Sequence, residues 1–178
     1  MIGAITAGLY GTGVPPVTNS YESIATVDAS AATSVSFTSI GSTYKHLQIR
    51  FSTKRSATDE LAMRFNGATT NYSLHYIRGD GSSVVPDGTS MSINRTYAGI
   101  GGSTSNPLVG VIDILDYTDT NKIRVHRTLA GVDNNGSGQI GLYSGAWNST
   151  AAITSIELFS GTGGVATLTG KFALYGIK

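Results

Sequence analysis

Cysteine is absent from the chain, which excludes a disulfide framework and thiolate metal ligands. The absence leaves the redox compartment open, but it removes a common stabiliser of small secreted domains. Charge is scarce as well. Acidic and basic residues make up 13% of the 178 residues, with a formal net charge of +1, about half the usual charged share. Lysine and arginine are scattered singly, the tightest group being Lys122, Arg124 and Arg127. Nucleic-acid binding needs a basic patch or stripe, so no nucleic-acid partner is expected. Long apolar runs are missing too, and nothing reads as a membrane span. What the chain has in abundance is glycine, serine and threonine. A surface of hydroxyls rather than charges suits a protein that packs into an assembly or faces harsh media.

The first stretch, MIGAITAGLYGTGVPP, carries no charge at all. No lysine or arginine precedes Lys45, and glycine interrupts at Gly3, Gly8, Gly11 and Gly13. A secretory signal needs a basic start and an unbroken apolar run. An amphipathic helix is disfavoured because each interior glycine costs about 1 kcal/mol relative to alanine. Pro15 and Pro16 impose extended geometry on what precedes them. The stretch therefore reads as an extended arm, 1–19, ahead of a single domain, 20–178. Ile2, Ile5, Leu9, Tyr10 and Val14 are its candidate partner contacts, and its glycines let backbone lie close to a surface. Pro15 and Pro16 supply a stiff spacer. Ordering an arm costs about 1–2 kcal/mol per residue, so one arm binds weakly. A homo-oligomer, most simply a trimer, is expected to supply the avidity.

Beyond the arm the periodicity is that of strands. YESIATV (21–27) and TSVSFTSI (33–40) are short β-branched segments. In YKHLQIRFSTK, Leu47, Ile49 and Phe51 alternate with His46, Gln48 and Arg50. Leu61, Met63 and Phe65 form the inward set of the next segment, and Tyr72, Leu74 and Tyr76 share a face in the one after. Residues 80–106 read as a polar stretch with one short strand at SMSINRT. PLVGVIDILDY is apolar on both faces, as in a doubly covered central strand. In NKIRVHRTLAG the pattern sets Ile123, Val125 and Leu129 inward and Lys122, Arg124 and His126 outward. GQIGLYSGAW, AAITSIELFS and ATLTGKFALYGI complete nine or ten strands, joined by Asn/Asp/Gly turns. The fold class is all-β: a two-sheet antiparallel β-sandwich, jelly-roll-like, with the last strand paired inside a sheet. Ile112, Ile114, Ile156, Leu158, Phe172 and Leu174 join the expected core.

Catalytic chemistry is thin. His46, His75 and His126 lie on three different strands with no carboxylate at ligand spacing, and serine occurs without a G-x-S-x-G elbow. Asp113, Asp116 and Glu157 are the carboxylates worth weighing for a glycosidase-like pair. The commoner arrangement is a strand aspartate facing Arg124 or Arg127 across the ladder. DNNGSGQIG places Asp133, Asn135 and Ser137 at calcium-loop spacing, but Ser144 stands where the closing glutamate belongs, and an Asn-Asn-Gly hairpin explains the same residues. No metal and no cofactor is expected. Aromatic stacking on a host glycan is the remaining binding chemistry, with Tyr97, Tyr143 and Trp147 as candidates and Tyr72 and Tyr76 nearby; a lone tryptophan of a β domain also belongs in a core.

The phrases SYESIATV, SFTSIGSTYKHLQIRF, MRFNG, VIDILDYTDTNKIRVHRTLAG, DNNGSGQIGLYSGAW, AAITSIELFSGTGG and FALYGIK, in this order over residues 20–178, resemble a family of small virion-associated proteins of tailed bacteriophages. The resemblance implies a non-enzymatic structural component of a virion and brings no catalytic residues with it. Head decoration or cement, attached through the arm to a major capsid or tail protein, is the first expectation. A tail or fibre protein is the alternative within that class, and a carbohydrate-binding receptor-recognition module lies outside it. An assembly protein should present apolar patches to copies of itself. A glycan binder should gather exposed aromatics in one concave site.

Overall fold

The computed structural model describes residues 20–161 and 165–178. The arm contacts expected at Ile2, Ile5, Leu9, Tyr10, Val14, Pro15 and Pro16 lie outside the described residues. Twelve strands follow one another, with no helix among the described residues: β1 (Tyr21–Ala32), β2 (Ser34–Phe37), β3 (His46–Arg55), β4 (Glu60–Phe65), β5 (Tyr72–Gly79), β6 (Val84–Ile93), β7 (Thr96–Ile100), β8 (Leu108–Ile114), β9 (Arg124–Asp133), β10 (Gly138–Trp147), β11 (Ile156–Ser160) and β12 (Leu168–Ile177). They form two antiparallel sheets. The large one has eight strands in the order β1-β12-β3-β8-β9-β10-β5-β6, and the small one four in the order β2-β11-β4-β7. The chain crosses repeatedly between the sheets, as in a jelly roll, but the sheets are unequal.

The inner faces meet in one core. Leu47, Ile49, Ile112, Ile114, Phe172 and Leu174 of the large sheet are buried against Leu61, Met63, Phe65, Ile156 and Leu158 of the small one. Phe51 stacks on Phe172 with ring centroids 6.1 Å apart, and the ring lies over Gly110, where a Cβ would come within 2.6 Å of it. The terminal strand β12 is interior, paired with β1 on one side and β3 on the other.

Four expectations need correction. Residues 80–106 hold two strands, β6 and β7, where one short strand was expected; β6 is an exposed edge strand that carries Pro86 and Gly88, and β7 is a buried strand of only five residues. The Asp28–Ala32 segment is not a break but the end of β1, which passes it with a register shift and a positive φ of 50° at Ala31. Most consequentially, β9 is turned over. Arg124, His126 and Thr128 are buried, whereas Ile123, Val125 and Leu129 are exposed. The inward polar groups are satisfied there. The Arg124 guanidinium donates to the carbonyls of Asp116, Asp119, Thr150 and Ala151. The His126 ring sits 2.7 Å from Thr96 Oγ1. A strand with apolar residues on both faces does not declare which face is the core. Strand β8 is likewise central but covered on one side only, leaving Val109 exposed.

Candidate functional site

The outer face of the large sheet carries the feature that the fold leaves unexplained. Strand pairing fixes its rows. The first runs Val109, Gly131, Ile140, Gly79, Val84 across β8, β9, β10, β5 and β6. The next runs Val111, Leu129, Leu142, Ile77, Pro86, and is apolar from end to end. The third is polar: Asp113, Arg127, Ser144, His75, Gly88. A fourth begins with Val125 beside Ala146 and Ser73. Ile77, Leu129, Ile140 and Leu142 are 50%, 55%, 61% and 52% exposed. Fully burying one such side chain contributes about 1.5–3 kcal/mol, so each leaves a good part of that unrealised.

The face spans five strands at about 4.8 Å spacing and four rows at about 6.8 Å, roughly 600–700 Å² in all, of which the two apolar rows make up about half. Contiguous apolar patches above a few hundred Å² mark interaction sites. Its relief is shallow. A trough of about 510 Å³ is lined by Gly79, Val109, Gly131 and Ile140, and another of about 500 Å³ by His75, Ile77, Pro86, Leu142 and Ser144. The glycines leave gaps beside the bulky neighbours in the same row. Towards β3 the band gives way to a polar rim. Gln48 donates to Asp113 Oδ1 at 2.7 Å, and Arg50 Nε donates to Gln48 Oε1 at 2.8 Å. The Arg50 guanidinium lies 5.4 Å and 5.0 Å from the ring centroids of Tyr21 and Tyr175. An apolar centre with a polar rim is the anatomy of a protein interface.

The residues singled out for other chemistries do not converge. Tyr143 and Trp147 face the core and are buried, which corrects their place among the glycan contacts. Ile100 N–H donates to the Tyr143 oxygen at 3.0 Å, and Trp147 stacks on Tyr72 at 6.2 Å. Tyr97 alone is part-exposed. It lies on the edge strand β7 with its ring 6.4 Å from that of Tyr76 on the large sheet, the Arg95 guanidinium 5.9 Å from its ring centroid and Arg95 paired to Glu60 at 2.5 Å. A neighbouring cleft of about 380 Å³ holds Arg64, 4.4 Å from the Phe159 ring centroid and 3.9 Å from Glu157. These charges are matched within the chain.

Asp113 sits opposite Arg127 in register, the cross-ladder arrangement weighed from the sequence. Glu157 belongs to the small sheet, so the two carboxylates lie on different sheets. Asp116 is held below the usual carboxylate range by the Lys122 ammonium, 2.9 Å away. Asp133, Asn135 and Ser137 lie in the β9–β10 hairpin. There the Asp133 carboxylate accepts the Asn135 N–H at 2.8 Å, and the Ser137 carbonyl accepts the Asn134 N–H at 2.7 Å. Of the histidines, His75 is exposed on the outer face and His46 Nδ1 accepts the Asp116 N–H at 3.0 Å. His126, expected on a polar face, is buried. Among the described residues no three His, Asp or Glu side chains gather as a metal site. The apolar band is itself legible as residues, but as core: β8, apolar on both faces, reads as doubly covered, and β9 as turning Val125 and Leu129 inward.

No family model, no curated protein and no solved structure matches the chain.

Proposed function

We propose that this protein is a non-enzymatic structural component of a bacteriophage virion. Its sandwich packs through the outer face of the large sheet, and its N-terminal arm attaches it to the particle. The observation that carries the assembly role is the apolar band on β8, β9, β10, β5 and β6, joined to the inversion of β9. That strand keeps Arg124, His126 and Thr128 inside and turns Val125 and Leu129 to solvent. Burying polar groups while exposing aliphatic ones is unfavourable in an isolated domain. It makes sense where a neighbouring protein covers the aliphatic face. The viral setting rests on the resemblance of residues 20–178 to tailed-phage virion proteins, and the low charge and hydroxyl-rich composition agree with it.

Head decoration is the proposed location, with the major capsid protein as the partner of the arm; a tail or fibre is the alternative within the same class. The test is deletion of residues 1–16. The shortened chain should fold and melt like the full chain, yet fail to join particles assembled without the native copy. Normal incorporation of the shortened chain overturns the attachment role, and a particle map with density for the chain on the tail rather than the head overturns the location.

A further inference from the structure

From the rows of the outer face we infer that its occupant is a second copy of this chain, packed sheet on sheet about a twofold axis that runs between β9 and β10, parallel to the strands. The inference names the partner of the face proposed above for assembly, and rests on that reading.

A twofold interface sets one patch against itself, so the patch must be self-complementary. This axis places every residue of β9 against its row-mate in β10 of the second copy, and every residue of β8 against its row-mate in β5. In the first row Ile140 then meets Gly131, and Val109 meets Gly79. Each bulky side chain falls on a position without one. In the second row Leu129 meets Leu142 and Val111 meets Ile77, an unbroken apolar centre. In the third row Asp113 meets His75 and Arg127 meets Ser144, so that an acceptor faces a donor and no like charges oppose. Val125 meets Ala146 in the fourth. All of these pairs follow from the strand register.

An in-plane axis across the strands at the second row sets each strand against itself. It places Ile140 against Ser144 and Val109 against Asp113, apolar on polar. The relief and the charge pattern therefore favour the first axis over that one. Aligned sheets pack about 10 Å apart with their strands about 30° from parallel. The twist displaces facing residues least beside the axis, where Leu129, Leu142, Gly131 and Ile140 lie. The area is adequate: roughly 600–700 Å² of flat face approaches the ~800 Å² per partner of a standard interface. Two arms leaving one dimer supply the avidity that a single arm lacks, so a twofold form replaces the trimer expected from the arm alone.

The experiment is sedimentation equilibrium of the full chain, alongside Leu129→Glu, Leu142→Glu and Ser36→Lys, the last on the small sheet, with thermal melts to establish that each folds. The wild type and Ser36→Lys should sediment at twice the 18.5 kDa chain mass. Either outer-face glutamate should weaken association at least 100-fold while the variant keeps a cooperative melt, lowered only by the stabilisation that dimerisation lends the wild type. A second readout uses the absence of cysteine. The double variant Val111→Cys/Ile77→Cys, treated with a short bis-maleimide, should give a covalent dimer, because the two positions lie three strands apart, about 14 Å, in one chain but face each other across the axis. A monomeric or trimeric wild type overturns the inference, as does a dimer that survives both glutamates or links only within one chain. A monomer that still joins the particle overturns the pairing and leaves the assembly role standing. A dimer that never joins it supports the pairing and overturns the virion role.

Discussion

At the scale of single residues, the core is decided by how polar groups are admitted to it. His126 is packed edge-on to Phe65 at 6.3 Å and close to Thr96. Burial pushes its pKa down to about 3, so the folded ring stays neutral. An unfolded histidine takes up its proton near pH 6.5. Below that pH the unfolded chain binds a proton that the folded chain refuses. The His126 contribution is therefore complete above about pH 6.5 and is lost as pH falls towards 3. Melting temperatures should begin to drop between pH 6.5 and 5, before carboxylates titrate, and His126→Gln should flatten that part of the profile; an unchanged slope in the variant counts against this account. Room for the ring comes from Gly145, where a Cβ would stand 1.9 Å from Thr96 Oγ1 and 2.2 Å from His126 Nε2. Gly145→Ala should therefore destabilise by about 1–3 kcal/mol through overpacking, measured by urea unfolding. Phe51 and Phe172 act in the opposite sense: truncating either to alanine opens a cavity costing about 3–5 kcal/mol, and a loss below about 1 kcal/mol would contradict their place between the sheets.

Among the elements, the β9–β10 hairpin shows turn chemistry deciding a local question. Asn135 and Gly136 hold positive φ values of 57° and 101°, the left-handed conformations that Asn and Gly tolerate best. The Asp133 carboxylate closes an Asx turn on the Asn135 N–H, which gives the aspartate a structural task without a cation. Chelation with EDTA should accordingly leave the melting temperature unchanged, whereas a fall of several degrees restored by calcium would show that the loop binds the ion. Strand β3 was readable because Leu47, Ile49 and Phe51 alternate with polar partners and one face is plainly core. Strand β9 was not, since Val125 and Leu129 look more like core than Arg124 and His126 do. Its orientation follows from the hydrogen-bond partners that loops and β7 bring to the inner face.

For the whole molecule, the core among the described residues begins at Ile24 on β1 and ends at Leu174 on β12. Removing residues 1–16 should thus leave the unfolding transition where it is in the full chain, as followed by circular dichroism. A shift of more than a few degrees would mean that the arm belongs to its own sandwich and is not free to engage a partner. The large sheet has one face on the core and, among the described residues, Ile77, Leu129, Ile140 and Leu142 exposed on the other, the face that the proposed assembly covers. That is why single-chain stability and assembly should respond to different substitutions: Phe51 and Phe172 to the first, Leu129 and Leu142 to the second.

The sequence by itself determined the all-β class, the antiparallel sandwich, the turn at Asp133–Ser137 and most of the core, because period-two alternation and Asn/Gly turns are local signals that hold wherever the strand is placed. It also placed Val109, Val111, Val125 and Leu129 in apolar surroundings. Only the tertiary structure decided which side of the sheet those residues face. Register with β8 and β10, the space left by Gly110 and Gly145, and the distant carbonyls that receive Arg124 are contacts between segments far apart in the chain. They turn an apparent inner face outwards, where the proposed interface lies.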